Sequence, residues 1–203
     1  MFKAIKEFIE KSWLLIVSSF VFGLLLAMTN SAWSGKIEQN KAGKLSGLMS
    51  MLVTNADKFE AAVPNVRVEV NKGKFAATDI YTAMSNGQIV GFCFKAEGTG
   101  FADKIELVIA ADANFEKIIG FNVLTSSETP GFGDKIAHSF YNDQYKGTPT
   151  EKLHLVKSGD DKIIDNEIVA ISGATVSSTA VVNILNNYLQ PIKEQLKEKG
   201  LIK

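Results

Sequence analysis

The chain of 203 residues has very few of the side chains that form disulfides or hold transition metals, with one cysteine and two histidines. A single cysteine excludes a disulfide framework. Cys93, His138 and His154 are too few and too scattered for a zinc site, an iron–sulfur cluster or a haem attachment. We therefore expect no metal site, and any role in electron transfer would require an organic cofactor.

An excess of charge of one sign is also missing. The 22 basic and 22 acidic residues cancel to a formal net charge of zero, and Arg67 is the sole arginine. A nucleic-acid-binding protein needs a basic field to neutralise phosphates, so this class is excluded. At roughly 100–200 residues per domain, the length allows one domain with an appendage.

Residues 12–35 form a run of 24 residues without an ionisable side chain. A helix of this length extends about 36 Å at about 1.5 Å per residue, enough to cross a hydrocarbon core of about 30 Å. Trp13 and Trp33 lie near its ends, where tryptophan favours the membrane interface. The alternative, a cleavable signal peptide, has a shorter apolar region and a small-residue cleavage site, and no clear A-x-A site is present. We predict a tail and a single transmembrane helix at 1–35, followed by one domain at 36–203.

The periodicity of apolar residues predicts helices around a sheet. Spacings of three and four indicate an amphipathic helix from Lys36 to Val63, ended by Pro64. Alternating strands follow from Val66 to Val123, and Asn86-Gly87 is a strong hairpin signal. A long C-terminal helix begins near Val176. The pattern predicts an α+β fold, an antiparallel sheet with packed helices.

Residues 171–178, ISGATVSS, lie between a strand-like run and this last helix. We expect Ser172 to be the N-cap and Gly173 to leave room for a ligand. Free backbone N–H groups and the helix dipole would then favour a phosphate near Thr175, Ser177 and Ser178. The alternative is that these hydroxyls only cap the helix.

Residues 127–134, SETPGFGD, form a compact turn before a predicted short helix, for which Asp134 is the expected N-cap. Pro130-Gly131 is explained by a type II turn alone. An acid and a hydroxyl at Glu128 and Thr129, with an aromatic residue after the turn, would suit a loop along a flat cofactor. On this segment alone both interpretations stay open.

Together, ETPGFGDKI at 128–136 and SGATVSS at 172–178 resemble the FMN-binding-domain family. This domain is shared by the G subunit of Rnf-type electron transport complexes and the C subunit of sodium-translocating NADH:quinone reductases. The resemblance includes the N-terminal span and LVTNADKFE at 52–60, and the length fits the G subunit better. It implies that Thr175 carries FMN covalently through a phosphoester, attached by a dedicated flavin transferase. The family usually has Asp six residues before this threonine, where this chain has Val169.

The resemblance further implies a subunit of an ion-translocating NADH:ferredoxin oxidoreductase complex, with its soluble domain on the extracytoplasmic side of the cell membrane. The implied partners are the A, B, C, D and E subunits, and no catalytic side chain is expected because Thr175 reacts once, during maturation. The residues expected to contact FMN, besides Thr175, are Ser172, Gly173, Ala174, Val176, Ser177, Ser178, Glu128, Thr129, Pro130 and Gly131. The alternatives are a membrane-tethered sensor or binding module with non-covalent FMN, the quinone-reductase C subunit, and an assembly subunit with an empty site.

Overall fold

The computed structural model describes the backbone of residues 2–203 and the side chains of residues 10–37 and 39–203. The chain forms two compact units, Met1–Gly43 and Lys44–Lys203. One helix, α1 (Phe2–Leu52), begins in the first unit and ends in the second. Its side chains at 13–37 are exposed, and it is long and apolar enough to cross a membrane.

The second unit contains a five-stranded antiparallel sheet with the strands in sequence order. The strands are β1 (Lys58–Asn71), β2 (Lys74–Ser85), β3 (Gln88–Thr99), β4 (Lys104–Asp112) and β5 (Ile118–Thr125). Asn86 and Gly87 form the turn between β2 and β3 with φ values of 51° and 78°, as a type I′ hairpin turn requires. The predicted antiparallel α+β fold is confirmed.

Short elements lead from the sheet to the last helix. The 3-10 turns Gly133–Ala137 and Asp143–Tyr145 flank α2 (Ser139–Asn142). Two three-residue strands, β6 (His154–Val156) and β7 (Glu167–Val169), pair in parallel, and α3 (Thr175–Glu198) follows. The strand-like run expected at 168–171 overlaps β7, whereas β6 and the parallel pairing are not among the elements that the sequence predicts.

Helices cover both faces of the sheet. Phe92 and Phe94 of β3 are buried on the face covered by α3, where the Phe94 ring stacks with Tyr188 at 6.4 Å between centroids. Cys93 lies between them and is buried on the opposite face with Met49 from the end of α1. Alternation along a strand thus supplies two apolar cores, one for each helix.

Three predicted helix boundaries are wrong. The helix expected to begin at Lys36 is continuous with the apolar helix before it, in α1. The helix expected to reach Val63 ends at Leu52, and Phe59 and Val63 lie in β1. An interval of four residues places side chains on one face of both a helix and a strand, so this spacing fitted either element. Pro64 interrupts the register of β1, an edge strand, where its missing N–H is tolerated. Asp134 lies inside a 3-10 turn that Phe132 precedes, so it is not the N-cap.

Candidate functional site

A tight turn at residues 171–174 leads into α3. Gly173 has a φ of 80°, which favours glycine, and the N–H of Ala174 donates to the Ile171 carbonyl at 2.9 Å. The Ser178 hydroxyl accepts from the Ile171 N–H and donates to the Ala174 carbonyl, both at 3.0 Å. The expected N-cap role of Ser172 is therefore wrong, because Ala174 occupies the cap position and Ser178 fixes the turn from inside the helix.

Thr175 is the first residue of α3, and its side chain is exposed. Within the described residues, its Oγ1 atom has no hydrogen-bond partner, and the backbone N–H groups of Thr175, Val176 and Ser177 have no acceptor. The N-terminus of a 24-residue helix carries a partial positive charge. Three free donors at this end form a site suited to a phosphate group.

A cavity of about 440 Å³ opens beside Thr175. Its volume lies in the range of about 300–1,000 Å³ typical of small-molecule sites. Three segments form the walls: the turn before β4, the loop after β5 and the first turn of α3. The lining residues are Phe101, Thr129, Phe132, Gly133, Gly173, Ala174, Thr175, Val176 and Ser177.

The rim of this cavity is apolar. Phe101 and Phe132 are 67% and 55% exposed, although phenylalanine usually lies in the core. The Lys135 ammonium lies 5.8 Å from the centroid of the Phe132 ring. Any side chain at Gly173 would place its Cβ 3.3 Å from the Phe132 ring, so glycine keeps this wall open. Flat apolar surfaces beside an anion site match a ligand that joins an aromatic ring system to a phosphate.

The structure separates the predicted site residues into two groups. Those that line the cavity are Thr129, Gly173, Ala174, Thr175, Val176 and Ser177. Those outside its lining are Ser172, Ser178, Glu128, Pro130 and Gly131. Phe101 and Gly133 are not among the residues that the sequence predicts at the site, and Phe132 entered only as the aromatic residue after the turn. Phe132 and Gly133 belong to the same motif as Thr129, and an aromatic residue beside glycine was the available signal, whereas no local pattern connects Phe101 with this site.

Glu128 lies behind the cavity wall and is only 5% exposed. Its Oε1 atom accepts hydrogen bonds from the backbone N–H groups of Phe101 at 2.9 Å and Ala102 at 3.0 Å. Its Oε2 atom accepts a hydrogen bond from the Ser177 hydroxyl. Both carboxylate oxygens thus face protein donors rather than the cavity.

Cys93, His138 and His154 are not among the residues that line this cavity. His138 and His154 are exposed, whereas Cys93 is buried in the sheet, and burial raises the pKa of its thiol to about 12. Among the side chains that the structure describes, no three of His, Cys, Asp or Glu are grouped so as to hold a metal ion.

Comparison with known proteins identifies the family. Residues 100–190 match the family described as the FMN-binding domain. The G subunit of the Na(+)-translocating ferredoxin:NAD(+) oxidoreductase complex of Acetobacterium woodii is 31% identical over 199 residues, covering 91% of this chain and 95% of the relative. The G subunit of the ion-translocating oxidoreductase complex of Methanosarcina acetivorans is 29% identical, covering 94% of this chain and 97% of the relative.

Solved structures agree on the fold. The NqrC protein of Shewanella oneidensis superposes with a TM-score of 0.57 at 24% identity, covering 71% of this chain and 73% of that protein. The C subunit of the Na(+)-translocating NADH-quinone reductase of Parabacteroides distasonis gives a TM-score of 0.52 at 19% identity, covering 68% and 77%. The chain belongs to the family of G subunits of ion-translocating oxidoreductase complexes, and it contains an FMN-binding domain.

Proposed function

We propose that this chain is a membrane-anchored electron-transfer subunit of an Rnf-type NADH:ferredoxin oxidoreductase complex, carrying FMN through a phosphoester to Thr175. The observation that carries the proposal is the position of the Thr175 hydroxyl. It is exposed on a cavity wall, without a hydrogen-bond partner among the described residues, at the N-terminus of α3. The family membership and the names of the relatives support the same function.

The residues around the cavity suit FMN in both of its parts. The free N–H groups of Thr175, Val176 and Ser177 would hold the phosphate, and the rings of Phe101 and Phe132 offer apolar contacts to the isoalloxazine. When bound, FMN supplies the redox chemistry, whereas the protein binds and orients it. The open rim of the cavity would leave one side of the isoalloxazine accessible to an electron-transfer partner.

Attachment requires Thr175 to react once. Its hydroxyl would lose a proton and Oγ1 would bond to the FMN phosphorus of an activated flavin donor, while the phosphoanhydride bond of that donor breaks and its other phosphate-bearing half departs as the leaving group. We assign the binding of that donor and the acceptance of the proton to a flavin transferase. The tether would keep the cofactor on the protein outside the cytoplasm, where free FMN is not replenished. Val169, at the position where the family usually has Asp, lies in β7, ahead of the turn that leads to Thr175.

The remaining assignments follow from the family. We propose that residues 1–35 form the tail and single transmembrane anchor, and that residues 36–203 form an FMN-binding domain on the extracytoplasmic side of the cell membrane. The proposed partners are the A, B, C, D and E subunits of the complex. The apolar stretch of α1 supports the anchor.

Intact mass of the full-length protein from its native host tests the covalent bond. We expect an added mass of one FMN less one water, and a band fluorescent under ultraviolet light on a denaturing gel. Thr175→Ala should abolish both signals. Thr179→Ala, which removes an exposed hydroxyl one turn further along α3, is the matched control and should keep them.

Other outcomes contradict the proposal in distinguishable ways. Flavin that co-purifies with the native protein but is released on denaturation would support a binding module or sensor with non-covalent FMN. Native protein without any flavin would support an assembly subunit with an empty site. A modified mass that persists in Thr175→Ala would place the attachment elsewhere.

A further inference from the structure

We propose that Glu128 is a positioning residue for flavin attachment, holding the first turn of α3 and two loops in the arrangement that presents Thr175 to the cavity. This inference rests on the proposed function and extends it to a residue that does not line the cavity. Glu128 is therefore expected to act through Ser177, Phe101 and Ala102 rather than by contact with the cofactor.

One carboxylate connects three segments that are distant in sequence. Glu128 follows β5, its Oε1 partners Phe101 and Ala102 belong to the turn before β4, and its Oε2 partner Ser177 lies in α3. Phe101 and Ser177 both line the cavity, as does Thr129, which follows Glu128 directly. The carboxylate thus fixes all three walls of the cavity relative to one another.

Two glycines leave room for this carboxylate. A Cβ at Gly133 would lie 2.7 Å from Ser177 Oγ and 2.9 Å from both Glu128 Cβ and Oε2. A Cβ at Gly100 would collide with Glu128 Oε1 and lie 2.7 Å from the Asp103 carbonyl oxygen. Contacts below 3.0 Å force the surroundings to shift, so both positions accept only glycine without rearrangement. The site is therefore shaped around Glu128.

The connection to Thr175 runs through the first turn of the helix. The N–H groups of Thr175, Val176 and Ser177 donate no intrahelical hydrogen bond. An additional contact from a side chain of this turn therefore helps to fix it. Ser177 is 3% exposed and supplies that contact through its hydroxyl. A negative carboxylate also suits the positive end of the helix dipole. Removal of Glu128 would leave a buried hydroxyl and two backbone donors to find new partners, at the expense of the geometry of this turn.

The test measures the initial rate of flavinylation of full-length protein co-expressed with a flavin transferase, by intact mass. We expect Glu128→Ala to lower the rate about tenfold or more, because small displacements of a reacting group have large kinetic effects. Ser177→Ala should also lower the rate of flavinylation. The double variant should be no slower than the slower single variant, since both act through one contact.

Two further variants separate positioning from general loss of structure. Glu128→Gln keeps the shape and an oxygen acceptor for Phe101 and Ala102, so it should recover much of the rate lost in Glu128→Ala. Glu116→Gln makes the same chemical change at an exposed carboxylate in the turn between β4 and β5 and should leave the rate unchanged. Thermal melting of each variant before flavinylation reports whether it is folded.

Unaltered rates in Glu128→Ala and Ser177→Ala, with wild-type protein flavinylated, would overturn the inference and leave the proposed function intact. Additive effects in the double variant would overturn it as well. If Glu128→Ala fails to fold, the test rests on Ser177→Ala and Glu128→Gln. Flavinylation of both variants at the wild-type rate would then reject the role of Glu128. Wild-type protein that takes no FMN at Thr175 would reject the proposed function itself, and the inference with it.

Discussion

At the scale of the residue, three neighbouring hydroxyls at the start of α3 have three different surroundings. Ser178 bonds to the backbone of the preceding turn, and Ser177 donates to Glu128. Thr175 alone of the three is exposed, on the wall of the cavity. Thr175 and Ser177 are two positions apart and so point in different directions around the helix. Ser178 differs from Thr175 because its hydroxyl bonds back to Ile171 and Ala174 of the preceding turn. Two of the hydroxyls therefore hold the turn, and the third is left exposed.

The two glycines of the loop after β5 should respond differently to alanine. Gly131 has a φ of 78° with open space around its Cβ position, so Gly131→Ala should lower the free energy of unfolding by about 1 kcal/mol. Gly133→Ala would force its Cβ against Ser177 and Glu128 and should lower it by about 2–3 kcal/mol. Urea unfolding of the two variants measures the difference, and equal losses would contradict the close packing at Gly133.

The thiol of Cys93 should be inert in the folded protein. It is fully buried, and burial raises its pKa to about 12, so the thiolate is scarce at pH 8. We expect no modification by a maleimide at pH 8 over the time in which the denatured chain reacts completely, measured by mass. Rapid labelling of the native protein would show that the face of the sheet covered by α1 is open.

At the scale of the element, local patterns were sufficient for the hairpins but not for the segment after α1. Asn86-Gly87 needs only its own turn geometry, and alternation predicts the flanking strands. Phe59 and Val63 satisfy helix and strand periods alike, and pairing with β2 decides between them. The residues of β7 carry a strand-like pattern, but β6 has only three residues, and its parallel pairing with β7 depends on tertiary structure.

The site shows the same division between local and distant information. The segment around Thr175 is one continuous motif at a helix N-terminus, and the resemblance to the FMN-binding-domain family selected Thr175 within it. Phe101 joins the cavity through the fold, and the bond between Ser177 and Glu128 links residues 49 positions apart. No single-sequence pattern reports such a contact. The sequence interpretation consequently assigned Glu128 to the cofactor, whereas the structure shows its oxygens bonded to protein.

An ion-pair network between β3 and β4 should make stability depend on pH. Burial alone would raise the pKa of Glu106, but the hydrogen bond from Lys104, 2.8 Å away, and the charges of Lys95 and Lys104 outweigh it and lower the pKa. A lowered pKa adds stability above the ordinary value of 4.5, and this stability is lost as the pH falls through the folded-state pKa.

Glu106→Gln should therefore lower the free energy of unfolding by about 1 kcal/mol at pH 7. It should also weaken the dependence of that free energy on pH below 4.5, the ordinary pKa of this carboxyl. Urea unfolding of wild type and variant at several pH values between 3 and 7 measures both effects. Parallel curves for the two proteins across this range would contradict a lowered pKa at Glu106.

At the scale of the whole molecule, α1 belongs to both compact units. Its last turns, from Lys44 to Leu52, lie in the second unit, and Met49 is buried there together with Val53, which follows the helix. These residues cover the sheet face that contains Cys93, Val108, Ala110 and Leu124. The end of α1 is therefore part of the core of the second unit, and the rest of the helix lies in the first.

Two fragments should separate these roles. A fragment of residues 44–203 is the whole second unit, retains the end of α1 and should fold cooperatively without detergent. A fragment of residues 58–203 lacks Met49 and Val53, exposes the apolar face of the sheet, and should be less stable by about 3 kcal/mol or more. Because the cover over Cys93 is lost, its thiol should also become reactive towards maleimide at pH 8. Equal unfolding free energies and equal protection of Cys93 in the two fragments would show that the sheet face is stable without α1.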